Sequence, residues 1–227
     1  MKGSDPTRDR CPALLALAAA LSLAAPAHAA PPGYPNSPYA GDRREMAFLP
    51  RYCMYTQVFR EAVPGGNNQG EIKRWTSSMG EIFNAMHHYC AGLIQTNRAV
   101  LHPGTPEERR FYLGDANGEF DYVIERSPQD FNLLPEILTK KGQNLVRLER
   151  GYLATVEFKR AIELKPDYWQ AYAGLSDYYK TTGDFQKARE YLEKGLSSSP
   201  DADALKRRMK DLDAARAKRK AAPKPNQ

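Results

Sequence analysis

The sequence predicts an all-α fold, a helical-hairpin solenoid with a disulfide-linked N-terminal helical part. Three observations carry this. The C-terminal third repeats itself at a fixed offset of 34 positions. In the stretch 71–100 the apolar residues Ile72, Trp75, Met79, Ile82, Phe83, Met86, Cys90, Leu93 and Ile94 step mostly by three and four, the spacing of one helix face. Pro and Gly mark the stops between such stretches: Pro50, the loop PGGNNQG, and the turn HPGTP that ends at Pro106.

Composition bounds the rest. The 227 residues allow one or two domains with a core. Lys and Arg total 33 against 27 Asp and Glu, a formal charge of +6. With 41% hydrophobic and 10% aromatic residues the chain is not a disordered polyelectrolyte. No apolar run reaches the ~20 residues of a membrane-spanning helix. Three cysteines are too few for a disulfide-scaffold miniprotein.

Residues 1–29 read as a secretory signal. Lys2, Arg8 and Arg10 precede the apolar run ALLALAAALSLAA, and small residues at Ala27 and Ala29 fit positions −3 and −1 of a cleavage site. Cleavage near Ala29 is expected, which places the mature chain in the periplasm or outside the cell. The Ala-rich core and AHA-A site resemble a Gram-negative export signal. Residues 30–48, rich in Pro and Gly at their start, read as a flexible leader. Residues 49–130 follow as N-terminal helices: one at 51–62, a long one at 71–100 with Gly80 and Gly92 as points of bending, and one from 107 to 126 whose middle, GDANGE, forms helix poorly.

The repeat occupies 131–200. Leu138 corresponds to Tyr172, Gly142 to Ser176, Leu145 to Tyr179, Ala154 to Ala188, Phe158 to Leu192, Ala161 to Gly195 and Pro166 to Pro200. Large and small residues alternate at helical spacing, so two antiparallel helices approach closely at the small ones. Each Pro-Asp ends one hairpin and starts the next. This pattern resembles the tetratricopeptide repeat, whose period is 34. The second unit matches well through Tyr172, Leu175, Tyr179, Gly183-Asp184, Ala188 and Pro200; the first departs at Lys141, where the family usually carries Leu, and at Leu145. Ala116, Phe120, Val123 and Pro128 repeat the spacing of Ala154, Phe158, Ala161 and Pro166, which marks a degenerate third unit. Solenoids need about three units to bury a continuous core, so the helices of 50–127 are expected to stack on the clear pair. Residues 201–217 then form a capping helix, and 218–227 a basic disordered tail.

Few residues invite chemistry. After export only Cys53 and Cys90 remain, and two cysteines in an oxidising compartment read as one disulfide. The alternatives are free thiols, or a metal- or redox-linked centre of Cys53, His87 and Cys90, for which no fourth ligand or short Cys/His pair appears. His87 borders the apolar stripe, while His88 faces the other way and is expected to be exposed. The 65–70 loop lacks the Gly-Lys-Ser/Thr ending of a phosphate loop, and no nucleophile-elbow, metalloprotease or dinucleotide motif occurs. The chain is therefore expected not to be an enzyme and to need no cofactor.

The family resemblance implies instead a concave groove, lined by the first helix of each repeat, that holds a segment of another protein. Helical spacing puts Glu136, Thr139, Lys140, Gln143 and Arg147 on that face, with Gln170, Ala173, Asp177 and Lys180 one repeat on. Thr139 and Gln143 stand where some members carry part of a Lys/Asn carboxylate clamp, so that clamp is not supported. The implied role is a periplasmic adaptor or scaffold in envelope or secretion-complex assembly, with its oligomeric state left open. The charge agrees with it. Residues 206–227 alone carry +7, and the mature body before them carries −2. For an exported chain such a tail suits anionic envelope surfaces or an acidic protein, not nucleic acid.

Overall fold

The computed structural model describes residues 37–39, 42–101 and 104–221, and among them it is helical with no strand. The expected signal and nine of the nineteen residues of the expected leader lie outside these residues. The leader is nevertheless not free throughout. Tyr39, Met46 and Leu49 pack against the main core, and the short helix α1 (Arg43–Met46) is capped by Asp42, which accepts from the Arg44 amide at 2.8 Å.

The helix expected at 51–62 is two pieces. A 3₁₀ turn (Arg51–Tyr55) follows Pro50 and carries Cys53, and α2 is only Phe59–Ala62. Between them Val58 has φ +68° and ψ −56°, and the Phe59 amide donates to the Gln57 carbonyl at 2.8 Å. This is the strained, positive-φ form of the γ-turn. The stripe at 71–100 is likewise divided, into α3 (Gln69–Met79), a 3₁₀ segment (Gly80–Ala85) and α4 (Met86–Leu101). Gly80 makes the break with φ +73° and ψ −157°, a region open essentially to glycine. Helix α4 runs unbroken through Gly92. Its missing side chain matters for packing, because a Cβ there would lie 2.5 Å from the Phe120 ring.

Helix α5 (Pro106–Arg126) runs unbroken through GDANGE. Thr105 and Glu108 form a reciprocal capping box at its start. Its face of Tyr112, Leu113, Ala116, Phe120 and Val123 is buried, whereas Gly114 and Gly118 look outward. Burial of that face outweighs the helix cost of each glycine, about 1 kcal/mol.

The repeats supply α6 (Leu134–Arg147), α7 (Gly151–Leu164), α8 (Trp169–Thr181) and α9 (Phe185–Ser198), and α10 (Asp203–Ala221) closes the array. Helix α10 runs four residues past the expected start of the tail. Helices α4–α5, α6–α7 and α8–α9 pair as hairpins, each hairpin packs on the next, and α6 touches α8 as α8 touches α10. The Phe158 ring explains the alternation of small and large residues. It is fully buried, and a Cβ on Gly142 or on Gly174 would come within 2.7 or 2.5 Å of it. Phe120 against Gly92 repeats the same device in the α4–α5 hairpin.

One continuous core joins Tyr52, Phe59, Met86, Tyr89 and Phe120 to Leu134, Ile137 and Leu138, so the N-terminal helices stack on the repeats. A smaller cluster of Ala188, Leu192, Leu205 and Leu212 holds α10. Lys141, which departs from the usual Leu of the repeat, has a structural reason. Its Nζ lies 2.6 Å from both Asp121 Oδ1 and Glu157 Oε1, so it pins α6 between α5 and α7.

Candidate functional site

Helices α6, α8 and α10 stand side by side and leave two adjoining clefts along their free face. The first, about 360 Å³, is walled by Gln143 and Arg147 from α6, by Trp169, Gln170, Ala173 and Asp177 from α8, and by Arg208 from α10. The second, about 310 Å³, lies between α8 and α10 and is lined by Asp177, Lys180, Ala204, Arg207, Arg208 and Asp211. Asp177 and Arg208 belong to both. The Arg208 Nε donates to the Asp177 carboxylate at 3.0 and 3.2 Å, so this pair forms the divide between the clefts.

Six of the nine groove residues named from the sequence line these clefts: Gln143, Arg147, Gln170, Ala173, Asp177 and Lys180. Ala173, 3% exposed, is floor. The other three are elsewhere. Glu136 accepts a hydrogen bond from the Tyr89 hydroxyl at 2.6 Å and so is committed to α4. Thr139 is 2% exposed, and Lys140 is half-buried outside both clefts. Sequence reasoning missed the α10 wall. The signal was present: carrying the offset of 34 one step further takes Gln170, Ala173 and Asp177 to Ala204, Arg207 and Asp211, all three of which line the second cleft.

The polar groups of the first cleft are unevenly paired. The Gln170 Oε1 is shielded and accepts no hydrogen bond among the described residues. Arg147 is exposed and among the described residues donates only to the Asn144 side chain, at 3.3 Å. The surrounding protein, and then the Arg109 guanidinium, pull its pKa below the ordinary arginine value. Neither Arg147, Lys180 nor Arg207 has a carboxylate partner among the described residues.

The cysteines form the expected disulfide. Cys53 and Cys90 are fully buried, with Cα atoms 5.7 Å apart, and they tie the 3₁₀ turn to α4. The alternative centre is not assembled: His87 points its Nδ1 to the Asn84 carbonyl at 2.9 Å, and no group of three or more His, Cys, Asp or Glu among the described residues is placed to hold a metal. His88 is not the exposed residue expected. Its Nδ1 lies 2.6 Å from Glu119, its ring stacks on Tyr122 at 3.7 Å, and its side chain is 22% exposed. The Tyr39 hydroxyl donates to the same carboxylate at 2.9 Å, so this cluster fastens the N-terminal strap to α4 and α5.

Stacked helical hairpins with a free groove define a class, the helical-repeat proteins. Residues 170–201 match the tetratricopeptide repeat family, and the chain carries this repeat within a helical-solenoid fold. It is 25% identical over 173 residues to the human Protein O-mannosyl-transferase TMTC1, which covers 72% of this chain and 19% of that protein. It is 29% identical over 92 residues to the Protein STIP1 homolog of Dictyostelium discoideum, covering 40% of this chain and 16% of that one. The chain thus spans under a fifth of the length of these curated relatives. The repeat supports a role in protein–protein interaction. Among the described residues no helix is long and apolar enough to cross a membrane.

Proposed function

We propose that this chain is an exported, non-enzymatic adaptor of the cell envelope, periplasmic after cleavage near Ala29, that holds a segment of another protein and helps assemble an envelope or secretion complex. The observation that carries the reading is the pair of joined clefts along α6, α8 and α10, where Arg147, Lys180 and Arg207, without carboxylate partners among the described residues, line a groove on a packed scaffold. A preformed groove lowers the ordering cost of taking up an extended or helical segment. A fully buried disulfide suits an oxidising compartment, and the signal-like segment at 1–29 suits the same route. The matched fraction of the human transferase is too small to bring transferase chemistry to this chain. The basic end of α10 adds weak contact with anionic envelope surfaces.

Affinity capture from the protein's own envelope extract tests the reading. The full chain should retain specific partners that the double variant Arg147→Glu/Asp177→Lys loses and that Lys206→Gln/Lys210→Gln keeps. N-terminal sequencing of the fractionated protein should begin at Ala30. Partners that survive the groove variant, or a chain recovered uncleaved from the cytoplasm, would overturn it.

A further inference from the structure

The groove is charged in a way that specifies what it takes. Around the two clefts stand Arg147, Lys180, Arg207 and Arg208, against Asp177 and Asp211. Among the described residues only one of these cations, Arg208, is neutralised by a carboxylate, and its partner Asp177 is itself 52% exposed on the side chain. An exposed pair of this kind is worth ~1 kcal/mol or less, so a competing carboxylate can exchange into it at little cost. Arg147 lines the same cleft as Arg208 and has no carboxylate of its own among the described residues. An extended acidic peptide laid along the groove brings side-chain carboxylates to these guanidinium groups.

We propose that the groove reads an acidic, extended peptide segment, with Arg147 and the α10 residue Arg208 as its specificity-determining residues, and that Arg208 exchanges Asp177 for a carboxylate of the ligand. The inference rests on the groove reading above. Helix α10 is then part of the recognition surface as well as the closing helix of the array, and Asp177 acts as an internal competitor that sets the threshold of acidity a ligand must exceed.

The probe is a short fluorescein-labelled peptide alternating Asp and Glu with Gly and Ala, compared by anisotropy with its Asn/Gln counterpart on the full chain. The acidic peptide should bind more tightly. Arg147→Gln/Arg208→Gln should weaken it ~tenfold or more, as loss of close charge pairs does. Asp177→Asn should tighten it several-fold by freeing Arg208. Two controls should stay within about twofold, as distant surface charges do: Asp213→Asn, which removes a carboxylate bound to Arg189 rather than to the groove, and Lys206→Gln/Lys210→Gln, which strips outward charge from α10. Equal effects of Asp177→Asn and Asp213→Asn, or no effect of Arg208→Gln, overturn the exchange. If both peptides bind alike and Arg147→Glu/Asp177→Lys abolishes both, the acidic specificity falls while the groove reading stands. If neither peptide binds and captured envelope partners survive that groove variant, both fall.

Discussion

Phe158 is held between two residues that have no side chain. Because Gly142 and Gly174 approach its ring from α6 and α8, one aromatic group sets the distance between successive repeats. Adding a methyl there forces a packed interior apart. Gly142→Ala should therefore destabilise the chain by about 1–3 kcal/mol, measured as a lower urea midpoint. Phe158→Leu in the same chain should recover part of that loss, so the two changes should be less than additive. An additive pair would mean that the ring is not what the glycine makes room for. His87 is the second residue whose surroundings set a measurable outcome. Burial first, and the neighbouring His88 second, lower its pKa. In the unfolded chain it titrates near ~6.5. Below that value the unfolded state binds the proton more readily than the folded one, so stability is lost as pH falls through this range. The urea midpoint should drop more between pH 7.5 and 5.5 in the wild type than in His87→Gln.

At the scale of elements, the sequence marked where helices occur better than where they break. The proline turn before α5 and the Pro-Asp junctions of the repeats were legible because local chemistry sets them. Gly80 was legible as a point of bending, but the length of the 3₁₀ segment after it and the division at Val58 were not. Val58 takes a positive φ that its residue type rarely adopts, and no local pattern announces it. The same holds for the strap at 37–49, whose composition reads as loose. Its Tyr39 and Glu45 find Glu119 and the nearly buried Arg98 on helices 53 or more residues away. The Cys53–Cys90 disulfide belongs to this scale as well, since it fixes the 3₁₀ turn on α4 across a separation of 37 residues. Cys53→Ala/Cys90→Ala should cost about 2–4 kcal/mol. Wild type unfolded with a strong reductant should fall to the variant's urea midpoint; a smaller loss in both would show that packing alone holds the turn.

Over the whole molecule, stability is unevenly distributed. The N-terminal helices, the disulfide and α6 share one large core, whereas α10 rests on a small cluster and on surface ion pairs. A repeat array of this kind opens from its weaker end. Native-state hydrogen exchange should find α10 opening at lower free energy than α4–α6, and uniform protection would contradict the division. If the groove reading holds, bound acidic peptide should raise protection in α10 along with α8, because both contribute walls to the clefts.

The sequence by itself determined the all-helical class, the 34-residue period, the identity of the repeat and six of the residues that line the clefts. These follow from spacing, which is a property of one helix and its immediate partner. Tertiary structure decided that Thr139 is buried, that Glu136 is spent on Tyr89, and that Arg208 closes the groove and pairs with Asp177. Those outcomes depend on which distant side chain arrives at each position, and periodicity places a residue on a face without naming what will meet it there.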